Sequence, residues 1–399
     1  QATSAKGLVK AQSRTQGVPW VTTEAADAKG QAVFTENSAI PNVSADKMTQ
    51  CMTGAIAQAV FSAARVITLD GSRSACGLGK DPGAVAPGIL APKHVPIVYR
   101  RDYVANSNDS YWMVHPTTPI TGYAPIIGPV ENTQGLRTRL GYDMITKRIA
   151  GTDGFGPAKF SIPTLESMWE SDRSYAADLV AGDLATACQA SPSATASNGT
   201  VVDLTAACAA LAAYDRTGTT TTSKGGWLFD AWWFDAPSGI YSVPFDPAHP
   251  MTTPNTLNTS KPGVLSALAD AVLELQAQNI PLDASYGDVQ HSTRGSKVLP
   301  IGGCETGCYN AISSSRGAAS EGPYGEVFYG SSFVMMAEMK PSGPKAQAIL
   351  TYSQSTNPLS PHFGDQTALF SKGQWLPMRF TDKEIKADKN LKTTVLKGR

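Results

Sequence analysis

Apolar positions along the chain change period three times. Near the start, Val18, Trp20 and Val21 lead a β-prone run through Thr22 and Thr23, residues 27–30 have turn composition, and residues 31–34 return, which predicts a hairpin. Residues 41–94 are crowded with Gly, Pro and Ser and read as loop, whereas residues 95–104 carry Ile97, Val98, Tyr99, Tyr103 and Val104 and read as a strong strand. Residues 113–136 wander. From 138 to 280 the period becomes helical. Leu165, Met168 and Trp169 share one face, Leu204, Cys208 and Leu211 another, and Pro262 opens a helix through Leu265, Leu268, Val272 and Leu275. Residues 191–200 are a low-complexity loop within that region. Strands return after 286, most clearly at 327–336 and 346–352, and a short helix is expected over 382–387. Strands, helices and strands in that order predict an α+β layered fold with a helical excursion, in segments 1–137, 138–284 and 285–399, without internal repeats.

The chain opens on Gln1 without an apolar leader. Leu8, Val9 and then Gly17 read as the end of a helix entering a strand, so the chain is expected to begin inside a fold, as a processed or truncated piece. With 399 residues, of which 42% are hydrophobic, it is long enough for a large core and several subdomains. Lys+Arg and Asp+Glu are equal at 33, which removes any electrostatic reason to bind nucleic acid or an acidic membrane. Charged residues make only 17%, a surface suited to uncharged or amphipathic ligands. No apolar run reaches the roughly 18 residues of a membrane span.

Six cysteines fall into neighbouring couples: Cys51 with Cys76, Cys188 with Cys208, and Cys304 with Cys308. An even count in local couples reads as three disulfides and an oxidising compartment. The rival reading is a metal site or free thiols, but no CxxC or added His accompanies them. The five histidines (94, 115, 249, 291 and 362) are scattered, and no phosphate-binding glycine loop is present, so neither a metal nor a cofactor is expected. The tryptophans, Trp20 among them, read by default as core.

Two clusters carry candidate chemistry. Residues 100–112 run from a strand into an Asn106-Ser107-Asn108-Asp109 turn, which places neutral amide donors suited to an oxyanion at a strand end; the plain alternative is a turn that satisfies its own backbone. Residues 353–366 hold Ser353, Ser355, His362 and Asp365, which suggests a Ser-His-Asp triad. Triad members normally come from separate elements, and no GxSxG elbow occurs, so a polar turn pinned by Pro358 and Pro361 is the competing reading.

At these same residues the sequence resembles the penicillin acylase family of Ntn hydrolases, most closely its acyl-homoserine lactone acylase branch. Residues 17–21 with Ala25, Ala26, Asp27 and Gly30 resemble the family's hairpin at the acyl pocket. Residues 100–112 resemble its asparagine loop. Gly287-Asp288, residues 292–295 and Tyr309-Asn310 resemble its late strands, and residues 348–366 its C-terminal signature. The resemblance implies a partial αββα sandwich and a chain that is the C-terminal part of the large subunit. Its partners would be the small subunit and the preceding part of the large subunit, cut from the same precursor. It also implies an N-terminal Ser nucleophile lying outside this chain, since residue 1 is Gln. Asn108 matches the oxyanion asparagine and Arg137 the arginine that orients it, with Arg139 the weaker match. Asn106 would support Asn108, and Trp20 and Val21 would line the acyl pocket. The implied activity is amide hydrolysis of N-acyl-homoserine lactones to fatty acid and homoserine lactone (quorum quenching) in the periplasm or outside the cell. Penicillin, cephalosporin or lipopeptide acylase activity, or a binding module without chemistry, are the alternatives.

Overall fold

The structure is a computed structural model that describes residues 2–398; Gln1, expected above not to be the nucleophile, lies outside the described residues. The chain divides into two compact units at the Gln134/Gly135 boundary.

In the first unit, helix Ala5–Thr15 starts where Ser4 Oγ accepts the Gly7 amide. The expected hairpin forms from Thr23–Ala26 and Ala32–Thr35, and Ile97–Arg100 adds a third antiparallel strand in register Ala32↔Arg100. The turn is built by Asp27, whose Oδ1 accepts the amides of Lys29 and Gln31, while Oδ2 accepts that of Ala5. Alternation along the middle strand sends Val33 against Ala5 and Val9, and Phe34 against Tyr111 and Val114. Both are fully buried, so the strand is anchored on its two faces.

The loop expected over 41–94 is instead partly helical. Helix Ala45–Cys51 is capped by Ser44 and buries Met48 and Cys51, and Ala55–Ala64 follows. The second helix has no fully buried residue and rests a half-buried face, Ala57 and Phe61, against Val43, Met48 and Met52. The disulfide Cys51–Cys76 ties the first of these helices to the following segment.

In the second unit the longer helices are Leu136–Ala150, Ile162–Glu170, Tyr175–Ala190, Thr205–Ala213, Gly226–Asp235 and Val264–Ala277. The last four pack around one core, with Leu184, Leu204, Leu228, Phe229, Trp232, Leu268, Val272 and Leu275 all at 0% exposure. The low-complexity loop at 191–200 is in fact most of a small hairpin, Ser193–Thr195 with Val201–Asp203, closed by the Ala196 amide on Thr200 O. Its Ser and Thr residues suit a strand, but three-residue strands are too short to show alternation. The strand expected over 327–336 is two strands, Val327–Gly330 and Phe333–Lys340, because the first pairs with Ile312–Ser314 and the second with Gly343–Leu350. Helix Asp382–Lys386 closes the chain.

The chain is thus mixed helix and sheet, and each sheet among the described residues has two or three strands. Of the tryptophans read as core, Trp112, Trp227 and Trp232 are buried, but Trp20 is 81% exposed. No described helix is long and apolar enough to cross a membrane.

Candidate functional site

The asparagine loop leaves the strand Ile97–Arg100 through an ion pair. The Arg100 guanidinium donates Nε and Nη2 to the two carboxylate oxygens of Asp102 at 2.6 Å each, which holds Asp102 well below the ordinary carboxylate range. His115 Nε2 lies 3.2 Å from Asp102 Oδ2, and its ring meets Tyr103 at 4.5 Å between centroids. Burial, with the Arg100 charge beside it, lowers the His115 pKa. The Ala105 amide then donates to Val114 O at 3.0 Å and pinches the base of the loop.

Within the pinch, Asn106 spans the turn with both ends of its amide. Oδ1 accepts the Asn108 backbone N–H at 2.8 Å, and Nδ2 donates to Asp109 O at 2.8 Å. Asn108 takes φ 71, a left-handed conformation that asparagine tolerates better than most residues. Beyond it Ser110 accepts the Trp112 amide through Oγ, which also donates to Pro129 O. Position 128 has to be glycine, because a Cβ there would stand 2.7 Å from Ser110 Cβ. Tyr111 and Val114 seat the far side of the loop on Phe34. Such an arrangement presents a short neutral amide on a braced backbone, the requirement for a preorganised hydrogen-bond donor.

A mostly apolar cavity of about 430 Å³ lies in the same unit, lined by Phe61, Arg65, Ile67, Tyr111, Tyr123 and Ile126 among others. Trp20 and Val21 stand elsewhere, on the exposed run-in to strand Thr23–Ala26.

Arg137 is the second residue of helix Leu136–Ala150 and is half-buried. Arg139, its rival for the orienting role, is 1% exposed. It donates Nε to Met251 O and Nη1 to Pro254 O, both at 3.0 Å, and lies 5.0 Å from the Tyr175 ring centroid.

The second cluster forms a turn. His362 Nδ1 pairs with Asp365 at 2.8 Å, but the Ser353 hydroxyl accepts the amides of Gln366 and Thr367 at 3.0 and 2.9 Å. It serves as an acceptor at the start of helix Asp365–Phe370. Among the described residues no side-chain hydrogen bond joins Ser353 or Ser355 to the His362 ring, so the Ser–His half of a triad is missing.

All six cysteines pair within their couples: Cys51–Cys76, Cys188–Cys208 and Cys304–Cys308, with Cα–Cα distances of 5.6, 5.3 and 5.2 Å. Sequence reasoning missed the buried polar groups of the second unit. Asp230, 7% exposed, accepts hydrogen bonds from Tyr286 and Thr306, and burial pushes its pKa up to about 7. Asp172 is paired with Asn310, 138 positions away. Separations of this size leave no local pattern.

A family model described as Penicillin amidase matches residues 1–387. Aculeacin-A acylase of Actinoplanes utahensis is 40% identical over 395 residues, which cover 98% of this chain and 49% of that protein. The acyl-homoserine lactone acylase PvdQ of Pseudomonas fluorescens (strain Pf-5) is 34% identical over 397 residues, covering 97% of this chain and 48% of its own. The chain therefore spans about half the length of the curated relatives it matches. Among solved structures, a thermostable penicillin G acylase from Alcaligenes faecalis shares the fold with a TM-score of 0.51 at 16% identity, over 100% of this chain and 71% of that one.

Proposed function

Because the chain belongs to the penicillin amidase family, we propose that it supplies the oxyanion half of an amide-cleaving N-terminal-nucleophile hydrolase acting on N-acyl-homoserine lactones. The nucleophile is an N-terminal serine outside this chain, with its own α-amine as base. Attack of the serine Oγ on the amide carbonyl turns the carbonyl oxygen into an oxyanion. The Asn108 side-chain NH2 donates to that oxygen, and Arg137 orients the asparagine and the α-amine. Collapse of the intermediate expels the homoserine lactone amine and leaves an acyl ester on serine. Water then releases the fatty acid and regenerates the hydroxyl. Trp20 and Val21 contribute to the acyl-chain pocket, with further walls from the small subunit and the preceding part of the large subunit. The observation that carries this reading is the two-ended clamp of Asn106 around the left-handed Asn108. Three disulfides favour a periplasmic or secreted enzyme.

A second substrate reading, aculeacin A, has a specific observation in its favour: the relative named for it is 40% identical, against 34% for the lactone acylase. The test is a substrate panel on the complete, processed enzyme, with short- and long-chain acyl-homoserine lactones, aculeacin A and penicillin G. Release of homoserine lactone with the highest kcat/KM supports the first reading. Preferred cleavage of aculeacin A or penicillin G replaces it, and no amide cleavage at all identifies a non-catalytic module on the same fold.

A further inference from the structure

The asparagine loop stands on a neck formed by two arms of the chain, residues 100–105 leaving the sheet and residues 114–120 returning. At the backbone the arms are joined by the Ala105 N–H on Val114 O at 3.0 Å. A single backbone hydrogen bond contributes little net free energy, so a neck joined by it alone would open readily.

Side chains close the neck a second time, through Arg100. This residue ends strand Ile97–Arg100, where it pairs in register with Ala32 and its carbonyl accepts Gln31 Nε2 at 2.6 Å. Its backbone therefore belongs to the three-stranded sheet, while its guanidinium reaches both arms. Nε and Nη2 grip Asp102 on the leaving arm, and Nη1 donates to Thr118 Oγ1 on the returning arm at 2.8 Å. Thr118 is itself held by its amide on His115 O at 3.2 Å, and the ring of the buried His115 lies 3.2 Å from Asp102. Ion pairs near the surface usually contribute little, and the Asp102 side chain is 43% exposed. The two-bond fork of an arginine on a carboxylate is the exception, because it fixes direction as well as distance. Here the fork orients the guanidinium plane, and the remaining nitrogen spans the neck.

We propose that Arg100 is a positioning residue for amide hydrolysis: by tying both arms of the neck to the sheet, it fixes where Asn108 presents its side-chain NH2 to the oxyanion. The proposal rests on the oxyanion reading of Asn108 and adds to it a residue that acts without touching substrate. A preorganised donor is effective because it is held in place before charge develops. Loosening the neck therefore weakens transition-state stabilisation more than substrate binding.

The experiment is a double-mutant cycle in the complete, processed enzyme, on the panel substrate with the highest kcat/KM. Arg100→Lys keeps the charge and loses the fork, and should lower kcat about tenfold with KM little changed. Thr118→Val keeps the shape and loses only the acceptor across the neck, and should lower kcat about threefold. Repeated in an Asn108→Gly background, each substitution should have almost no further effect on kcat, because the group it positions is gone. A merely structural role would lower the melting temperature and leave the losses independent of Asn108. Unaltered kcat in both single variants, losses that multiply with that of Asn108→Gly, or a raised KM at constant kcat would each overturn the positioning role while the oxyanion reading stands. A near-normal kcat in Asn108→Gly itself would take down both.

Discussion

Asn106 holds Asn108 by its backbone N–H. The 2.8 Å bond from the Asn108 N–H to Asn106 Oδ1 fixes the turn, and the φ of 71 that it stabilises determines where the Asn108 side chain departs. A residue whose turn is stabilised by its neighbour need not cap the turn itself. The proposed reading gives the Asn108 side chain the oxyanion role.

The first prediction uses that backbone. At φ 71, alanine would add strain to the loss of the amide, whereas glycine removes the amide alone. In the complete enzyme, Asn108→Gly should lower kcat about 100- to 1000-fold, the range for one lost oxyanion donor, with KM and melting temperature little changed. A near-normal kcat would remove Asn108 from the mechanism.

Asn106→Ala deletes both ends of the clamp. It should lower kcat less than Asn108→Gly while loosening the loop by about 1–3 kcal/mol, because the Asn108 amide and the Asp109 carbonyl lose their partner. Amide hydrogen exchange at residues 106–110 measures the loosening. Unchanged exchange together with unchanged kcat would leave Asn106 as a bystander.

Ser353→Ala distinguishes the turn from a triad. Its hydroxyl accepts the two amides that begin helix Asp365–Phe370, so the variant should lose about 0.5–2 kcal/mol of stability, as for a lost helix cap, and keep full activity. Abolished turnover in a folded Ser353→Ala enzyme would restore the triad.

Asp230 predicts a pH dependence. Its carboxyl titrates near 3.8 when unfolded and is pushed up to about 7 by burial when folded. Within that window the folded chain keeps a proton that the unfolded chain has lost, so the contribution of Asp230 to stability is full below about pH 4 and declines as pH rises to about 7. Urea-unfolding midpoints of Asp230→Asn should vary less between pH 5 and pH 8 than those of the parent. Parallel pH profiles for the two proteins would contradict the buried, proton-retaining carboxyl.

Much of this was legible in the sequence. The hairpin announced itself through a β-prone run and an Asp-Ala-Lys-Gly turn, and the cysteine couples through proximity in the chain. The asparagine loop stood out as amide side chains at a strand end. What was hidden had physical reasons. Helix Ala55–Ala64 has only a half-buried face, through Ala57, Val60 and Phe61, in a segment whose Gly, Pro and Ser content read as loop. The hairpin within 193–203 is too short to alternate. The exposure of Trp20 contradicts a default drawn from residue type alone. Asp172 and Asn310, or Asp230 and Thr306, meet only after folding, and no window of sequence contains both.

The five-residue ring closed by Cys304 and Cys308 holds more than its own turn. Thr306 within it is fully buried. It hydrogen-bonds Ser174 and the Ala176 amide at the start of one helix and reaches Asp230 in the middle of another. Two helices some fifty residues apart are thus pinned by a ring whose shape depends on an oxidised bond. The choice of expression host follows from this. In a compartment that keeps thiols reduced the ring is open and Thr306 loses its fixed position, so recombinant production calls for an export signal or an oxidising cytoplasm.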